Sequence, residues 1–225
     1  MSKGFDRLAR VYDPLARLVY GRAIPKAQFA VLQVIPEDGR VLVVGGGTGW
    51  FLLELLKARK PEFVLYVDAS AEMCRRAKAL VDEKMPELAG SVEYYPGTLE
   101  ELETEPEMGG KHDFDAVCTH FFLDMFEGEV LSGECQRIEK RLKQDAVWTL
   151  ADFRYPKRFP MRQIGGLMIW GMYRFFRWTC GIQARRLGDF EGEIEGLGFS
   201  KRQDERFYAG MIRSTVFLRR EKETK

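Results

Sequence analysis

The chain is short of the features that mark several large protein classes. Its four cysteines, Cys74, Cys118, Cys135 and Cys180, are far apart and form no C-x-x-C pair. The two histidines, His112 and His120, add no metal-ligand spacing, so neither a structural zinc site nor a disulfide framework is expected. The cysteines are read as reduced thiols of a cytoplasmic protein. No window holds the roughly 20 uncharged apolar residues of a membrane span. The opening Met1-Ser2-Lys3-Gly4-Phe5-Asp6 lacks the apolar centre of a signal peptide. Net charge is only +1, so the molecule is no polycation built for nucleic acid, and none is expected as a partner. The acidic stretch from Glu100 to Glu107 points the same way. No internal repeat or low-complexity tract is present.

What remains is the composition of one α/β domain. The 225 residues are 45% hydrophobic and 31% charged, enough for a sizeable core. Residues 1–35 are expected to form a helical cap. Leu8, Val11, Leu15, Leu18 and Val19 recur at helical spacing, and a second short helix opens at Pro25. From Arg40 the pattern changes. Val41–Val44, Phe63–Val67, Val92–Tyr95, Phe114–Thr119 and Ala146–Leu150 are short apolar runs, as in strands buried on both faces. Helices are expected over Thr48–Ala58, Ser70–Lys84 and Glu129–Leu142 between them. That alternation predicts a doubly wound parallel sheet with right-handed crossovers. The end breaks the rule. After a helix over Asp189–Gly196, strand-like runs at Lys201–Tyr208 and Met211–Arg219 are separated only by Ala209-Gly210, which predicts an antiparallel hairpin. The expected fold is therefore seven-stranded and Rossmann-like, with five parallel strands and a closing hairpin. Residues 36–152 form its ligand-binding core, 153–187 a lid-like insertion, and 188–225 the last helix and the hairpin.

Gly45-Gly46-Gly47-Thr48-Gly49 follows the first strand and opens a helix. Glycines let the backbone approach a ligand, and the helix start offers unpaired N–H groups. Asp68 ends the second strand, where a carboxylate can accept hydrogen bonds from ribose hydroxyls. A dinucleotide fingerprint needs a small residue where this chain has Trp50, and no Gly-Lys-Ser/Thr ending supplies a phosphate loop.

Val41 to Trp50, Val67-Asp68-Ala69-Ser70 and Phe114-Asp115-Ala116-Val117 resemble the first, second and fourth motifs of class I S-adenosylmethionine-dependent methyltransferases. The closing hairpin resembles the reversed seventh strand of that fold. The resemblance extends over residues 36 to 152 in motifs and to the hairpin in topology. It implies S-adenosyl-L-methionine as cofactor, with Gly45, Gly47 and Gly49 bordering its methionine part and Asp68 holding its ribose. Ala69, Ser70 and Met73 would line the adenine side. Thr98 and Leu99 match the loop that meets the adenine ring, and Thr119 begins the loop under the sulfonium. Val43 stands where many members carry an acid, so the donor's amino group is expected to be held by backbone carbonyls or another acid. Phe5-Asp6-x-x-Ala9-x-x-Tyr12-Asp13 is similar to the opening of ubiquinone/menaquinone C-methyltransferases, which makes Tyr12 a candidate gate over the cofactor.

His120 is the candidate base, because a histidine there can take a proton near neutral pH; hydrogen bonding to the backbone is its plainer role. Residues 153–187 hold eight basic residues, eight aromatic residues and no acid. Three readings stand: a lid over an aromatic or lipid-like small-molecule acceptor, an interfacial helix on anionic lipid, or packing against the sheet or a second subunit. A nicotinamide-dependent oxidoreductase and a non-catalytic binding module of the same fold are the competing functions.

Overall fold

The computed structural model describes residues 19–105, 113–156, 158–181 and 184–220. Tyr12, His112 and the first expected helix lie outside the described residues.

Seven strands form one sheet in the order β3-β2-β1-β4-β5-β7-β6. They are β1 (Arg40–Val44), β2 (Phe63–Asp68), β3 (Val92–Pro96), β4 (Phe114–His120), β5 (Leu142–Phe153), β6 (Phe199–Phe207) and β7 (Ile212–Arg219). The first five are parallel, and β7 pairs antiparallel with both β5 and β6. The fold is the Rossmann-like one that the sequence predicts, with its closing hairpin.

The period-two direction of strand side chains divides the core into two layers. Val41 and Val43 of β1 face α2 (Trp50–Arg59) and α3 (Ala71–Lys84). Leu42 and Val44 face the other way, toward α4 (Leu99–Thr104), α5 (Gly128–Glu139) and α7 (Phe190–Gly196). Burial on both faces is why the parallel strands read as unbroken apolar runs. The first described helix, α1 (Ala23–Ala30), is tied to the hairpin: the Ser214 hydroxyl donates to the Ala27 carbonyl at 2.6 Å. The long α6 (Met161–Cys180) connects β5 to the last helix.

Two expected boundaries are corrected. β5 begins at Leu142, so α5 stops at Glu139, three residues short of its expected end. Leu142 pairs with Phe114 across an irregularity in the β4–β5 ladder, and the exposed Gln144 and Asp145 beside it hide the strand from a reading by hydrophobic runs. Asp115 of the fourth motif lies at the far edge from the glycine loop, where it accepts from the Arg40 N–H at 2.8 Å and from Lys143.

Glu191, in the first turn of α7, joins the last third of the chain. It is buried, and it ion-pairs with Arg154 just past β5, Lys201 of β6 and Arg213 of β7. Burial alone would raise its carboxyl, but Lys201, Arg154 and Arg213 outweigh that and hold it below its ordinary value of 4.5. A depressed carboxyl stabilises the fold fully above the ordinary value and loses that contribution as pH falls through the folded one. Glu191→Ala should cost about 3 kcal/mol at neutral pH by stranding buried cations. The gap to the parent chain in urea unfolding should close as pH drops below 4.5; a constant gap would refute the assignment.

Candidate functional site

The parallel strands β1, β2, β4 and β5 end on one edge of the sheet, the edge where open α/β folds bind ligands. Each sequence-predicted residue in the described chain reaches this edge or the helix starts beside it. At Gly45 the chain leaves β1 with its N–H still donating to the Val67 carbonyl at 2.8 Å, so the loop begins as an extension of the ladder. Gly47 then takes φ +66°, with open space on the side where a side chain would stand. Its whole peptide environment is fixed by β2. The Gly47 N–H donates to Asp68 Oδ2 at 2.9 Å, and its carbonyl accepts from the Tyr66 hydroxyl at 2.8 Å. Tyr66 and Asp68 are two apart on one strand, hence on one face. Gly49 (φ +88°) caps α2, and a Cβ there would stand 2.7 Å from the Ala77 Cα of α3. Close helix approach therefore falls on Gly49, one position before Trp50, which begins the helix half-buried.

The other carboxylate oxygen of Asp68 accepts from the Ser70 N–H at 2.9 Å. Ionised carboxylates have about four lone-pair sites, so one can bind backbone and still serve a diol. Ser70 is fully buried and caps α3 by accepting from the Met73 N–H, and Met73 is itself buried. Ala69 is half-buried beside them. Across the groove, Thr98 is an N-cap and not a loop residue. Its hydroxyl accepts from the Glu101 N–H while the Glu101 carboxylate accepts from the Thr98 N–H, a capping box that starts α4. Leu99 turns its side chain into the core. On this rim Pro96, Thr98 and Glu100 are exposed.

At the end of β4, Thr119 is buried and its hydroxyl accepts from the Trp148 indole at 2.8 Å. His120 is buried too, with its ring edge-on to Phe51 at 4.3 Å. Its Nε2 lies 3.2 Å from the Thr149 hydroxyl, and that hydroxyl donates to the Val117 carbonyl at 3.1 Å. The single hydroxyl proton is thus spent on Val117, so Nε2 carries a proton and donates. Nδ1 is left as a buried lone pair without a partner among the described residues. Burial pushes the imidazole down to about 3. Phe121 follows at φ +55°, a strained conformation for a bulky residue, and swings the chain away from the sheet.

That swing brings Asp124, which its place in the sequence gives a capping or orienting role, against Asp152, which the sequence reading overlooks. Asp124 and Asp152 are both buried, and Asp152 accepts from the Asp124 N–H at 3.3 Å and the Phe153 N–H at 2.8 Å. Burial raises both carboxyls, and the Asp124 charge raises Asp152 further. The pair therefore keeps a proton to far higher pH than an ordinary carboxyl. Tyr173 of α6 donates to the Asp124 carbonyl at 2.6 Å. The only sequence signal for Asp152 is its place at the end of a buried strand, two residues past Leu150.

Comparison with known proteins now adds to this geometry. Residues 41–145 match the family model described as a methyltransferase domain. No curated protein sequence matches the chain. Among solved structures, a chain of the complex between the Haloferax volcanii Trm112 methyltransferase activator and a candidate methyltransferase is similar, with TM-score 0.66, 14% identity, and 95% of this chain and 96% of that one covered. Magnesium protoporphyrin IX methyltransferase from Synechocystis PCC 6803, solved with S-adenosylhomocysteine bound, has TM-score 0.61 and 16% identity over 88% of this chain and 83% of that one. The [4+2]-cyclase SpnF has TM-score 0.61 and 14% identity over 86% and 80%. These likenesses show a seven-stranded Rossmann-like fold shared with methyltransferases, and the methyltransferase-domain model matches residues 41–145, just under half of the chain.

Proposed function

We propose that this chain transfers a methyl group from S-adenosylmethionine to a small acceptor of aromatic or lipid-like character. The observation that carries this reading is the Gly47 peptide held between Tyr66 and Asp68, with open space beside it. A loop fixed from both sides is pre-organised, so a ligand need not order it. The residues present fit the donor. The glycine loop would border its methionine part and Asp68 its ribose. Ala69, Ser70, Met73, Thr98 and Leu99 would meet the adenine, Ser70, Met73 and Leu99 through backbone because their side chains turn inward. Thr119 would lie under the sulfonium, and Tyr12 would close over it, as in the group its segment is similar to. A nicotinamide cofactor is a poorer match, because the glycines are spaced Gly45-x-Gly47-x-Gly49, with Trp50 at the third position of a dinucleotide fingerprint. The cyclase among the structural neighbours is why binding alone cannot define the reaction.

The bound donor would supply an activated methyl electrophile; the chain's own task is alignment and exclusion of water. If the acceptor is a hydroxyl or an acidic carbon, a base helps. His120 meets the starting requirement of a base, an unprotonated Nδ1, but burial disfavours its cation so strongly that it accepts a hydrogen bond better than a proton. We assign it to orienting the acceptor. Asp124 is the better base, since a raised carboxyl is closer to the working pH.

Four measurements test this. Titration calorimetry should show S-adenosylhomocysteine binding and no NADH binding, and Asp68→Ala should weaken the former roughly ten- to hundredfold, the loss of a charged hydrogen bond. Failure of both S-adenosylmethionine and S-adenosylhomocysteine to bind at millimolar concentration sinks the proposal. Asp124→Asn should lower kcat by about 10²- to 10⁴-fold with product affinity retained. A raised carboxyl stabilises the fold below the ordinary range, and that contribution is lost as pH rises through the folded value. Asp124→Asn should therefore gain stability relative to the parent chain between about pH 5 and pH 8 in urea unfolding. NMR of the His120 ring should show a neutral Nε2–H tautomer throughout that range; an imidazolium above about pH 5 would return it to the role of base.

A further inference from the structure

Helix α6 has two apolar faces, and among the described residues only one is covered. On the covered face Ile169 and Tyr173 are buried with Ala184 and Met211, and Gly165 admits Pro156, which would stand 2.7 Å from a Cβ there. At about 100° per residue, Ile164, Leu167, Trp170 and Trp178 fall together in a second arc. They are 47%, 68%, 61% and 86% exposed, and Phe159, just before the helix, is 80% exposed. Isolated apolar residues on a surface need no explanation, but four large ones on one arc of one helix, with a fifth just before it, do.

Arginines are interleaved with this arc. By the same spacing Arg174 falls within it, between Trp170 and Leu167, and Arg177 at its edge; both are exposed, and the Arg174 guanidinium lies 6.0 Å from the Trp170 ring centroid. Arg162, also exposed, falls outside the arc. At the N-terminal end of α6, Arg158, Phe159 and Met161 line one wall of a 950 Å³ cleft, and Arg206 of β6 contributes to another. Arg154 and Arg213 also line it but are committed to Glu191, and Arg213 to Asp204 as well. Among the described residues no carboxylate lies within ion-pair distance of Arg158, Arg162, Arg174, Arg177 or Arg206. Arg158 and Arg206 thus outnumber Asp189, the one carboxylate among the cleft's lining residues, and Arg174 and Arg177 lie along the stripe; unpaired cations beside a greasy stripe call for a partner that is both anionic and apolar.

We infer that α6 and the cleft at its N-terminal end seat this protein on an anionic phospholipid surface. The stripe enters the boundary between headgroups and acyl chains, while Arg174 and Arg177 reach out along their own methylenes and, with Arg158 and Arg206 at the cleft, meet headgroup phosphates. The 20-residue helix lies in the plane of the surface, since among the described residues no helix is long and apolar enough to cross a membrane. A second copy is a poorer occupant, because residues 153–187 contain no acid to neutralise the facing arginines. This inference stands whether or not the chain transfers methyl groups.

Co-sedimentation of the full chain with vesicles tests it, using phosphatidylcholine alone and phosphatidylcholine mixed with phosphatidylglycerol. The chain should partition to the mixed vesicles only, with a blue shift of tryptophan emission that a Trp170→Phe/Trp178→Phe chain lacks. Leu167→Glu should abolish binding. Arg174→Gln and Arg177→Gln should each weaken it roughly fivefold, and these two keep the test decisive if Leu167→Glu fails to fold by circular dichroism. Equal partition to both vesicles, or arginine variants that bind unchanged, overturns the inference. So does shielding of Trp170 and Trp178 from acrylamide before lipid is added. Sedimentation velocity would then separate coverage by a second copy from coverage by residues 1–18.

Discussion

The candidate site depends on one clamp. A glycine peptide left to itself samples both signs of φ, and that freedom costs free energy when a ligand orders it. Here β2 removes the freedom beforehand: the Tyr66 hydroxyl holds the Gly47 carbonyl and the Asp68 carboxylate holds the Gly47 N–H. The two holding groups stand on one face of one strand, so the loop after β1 is registered on β2 through the parallel β1–β2 ladder. The Asp68 end of that strand also pins Ser70 and thereby the start of α3. Loop, Asp68 and the start of α3 form one rigid piece.

A different economy governs the ends of β4 and β5. Parallel strands bring His120 and Asp152 to the same edge, and the left-handed Phe121 turns the chain so that Asp124 meets Asp152. Burial then moves the two kinds of group in opposite directions, the imidazole down and the carboxyls up, because in each case it opposes the charged form. Acid and base character at this edge are set by the same dry surroundings.

Much of this was legible in the chain. Apolar runs located the middles of the five parallel strands, since strands buried on both faces leave no ambiguity about what covers them, and Ala209-Gly210 located the hairpin turn. The glycine loop and Asp68 were legible because their spacing is local. The short α4 escaped because six residues are too few to show a helical period, although Thr98 and Glu101 spell its capping box. Tyr66 looked like one more apolar strand residue, and its hydroxyl acquires meaning only when β1 lies beside it. Asp152 and Glu191 were invisible as buried charges for a related reason: burial and partnership come from elements far off in sequence, as Arg154, Lys201 and Arg213 do for Glu191.

The order in which the last two strands enter the sheet has a consequence for association. β7 follows β6 in the chain yet takes the interior place, next to β5. Its largely buried run Ile212-Arg213-Ser214-Thr215-Val216-Phe217 is thereby paired on both sides. The rim is left to β6, which carries Lys201, Arg202, Asp204, Glu205 and Arg206. Any foreign strand docking on that rim would have to strip water from this row of charges. The reversed hairpin thus acts as a guard against edge-to-edge aggregation, with the sticky strand inside and the repellent one outside.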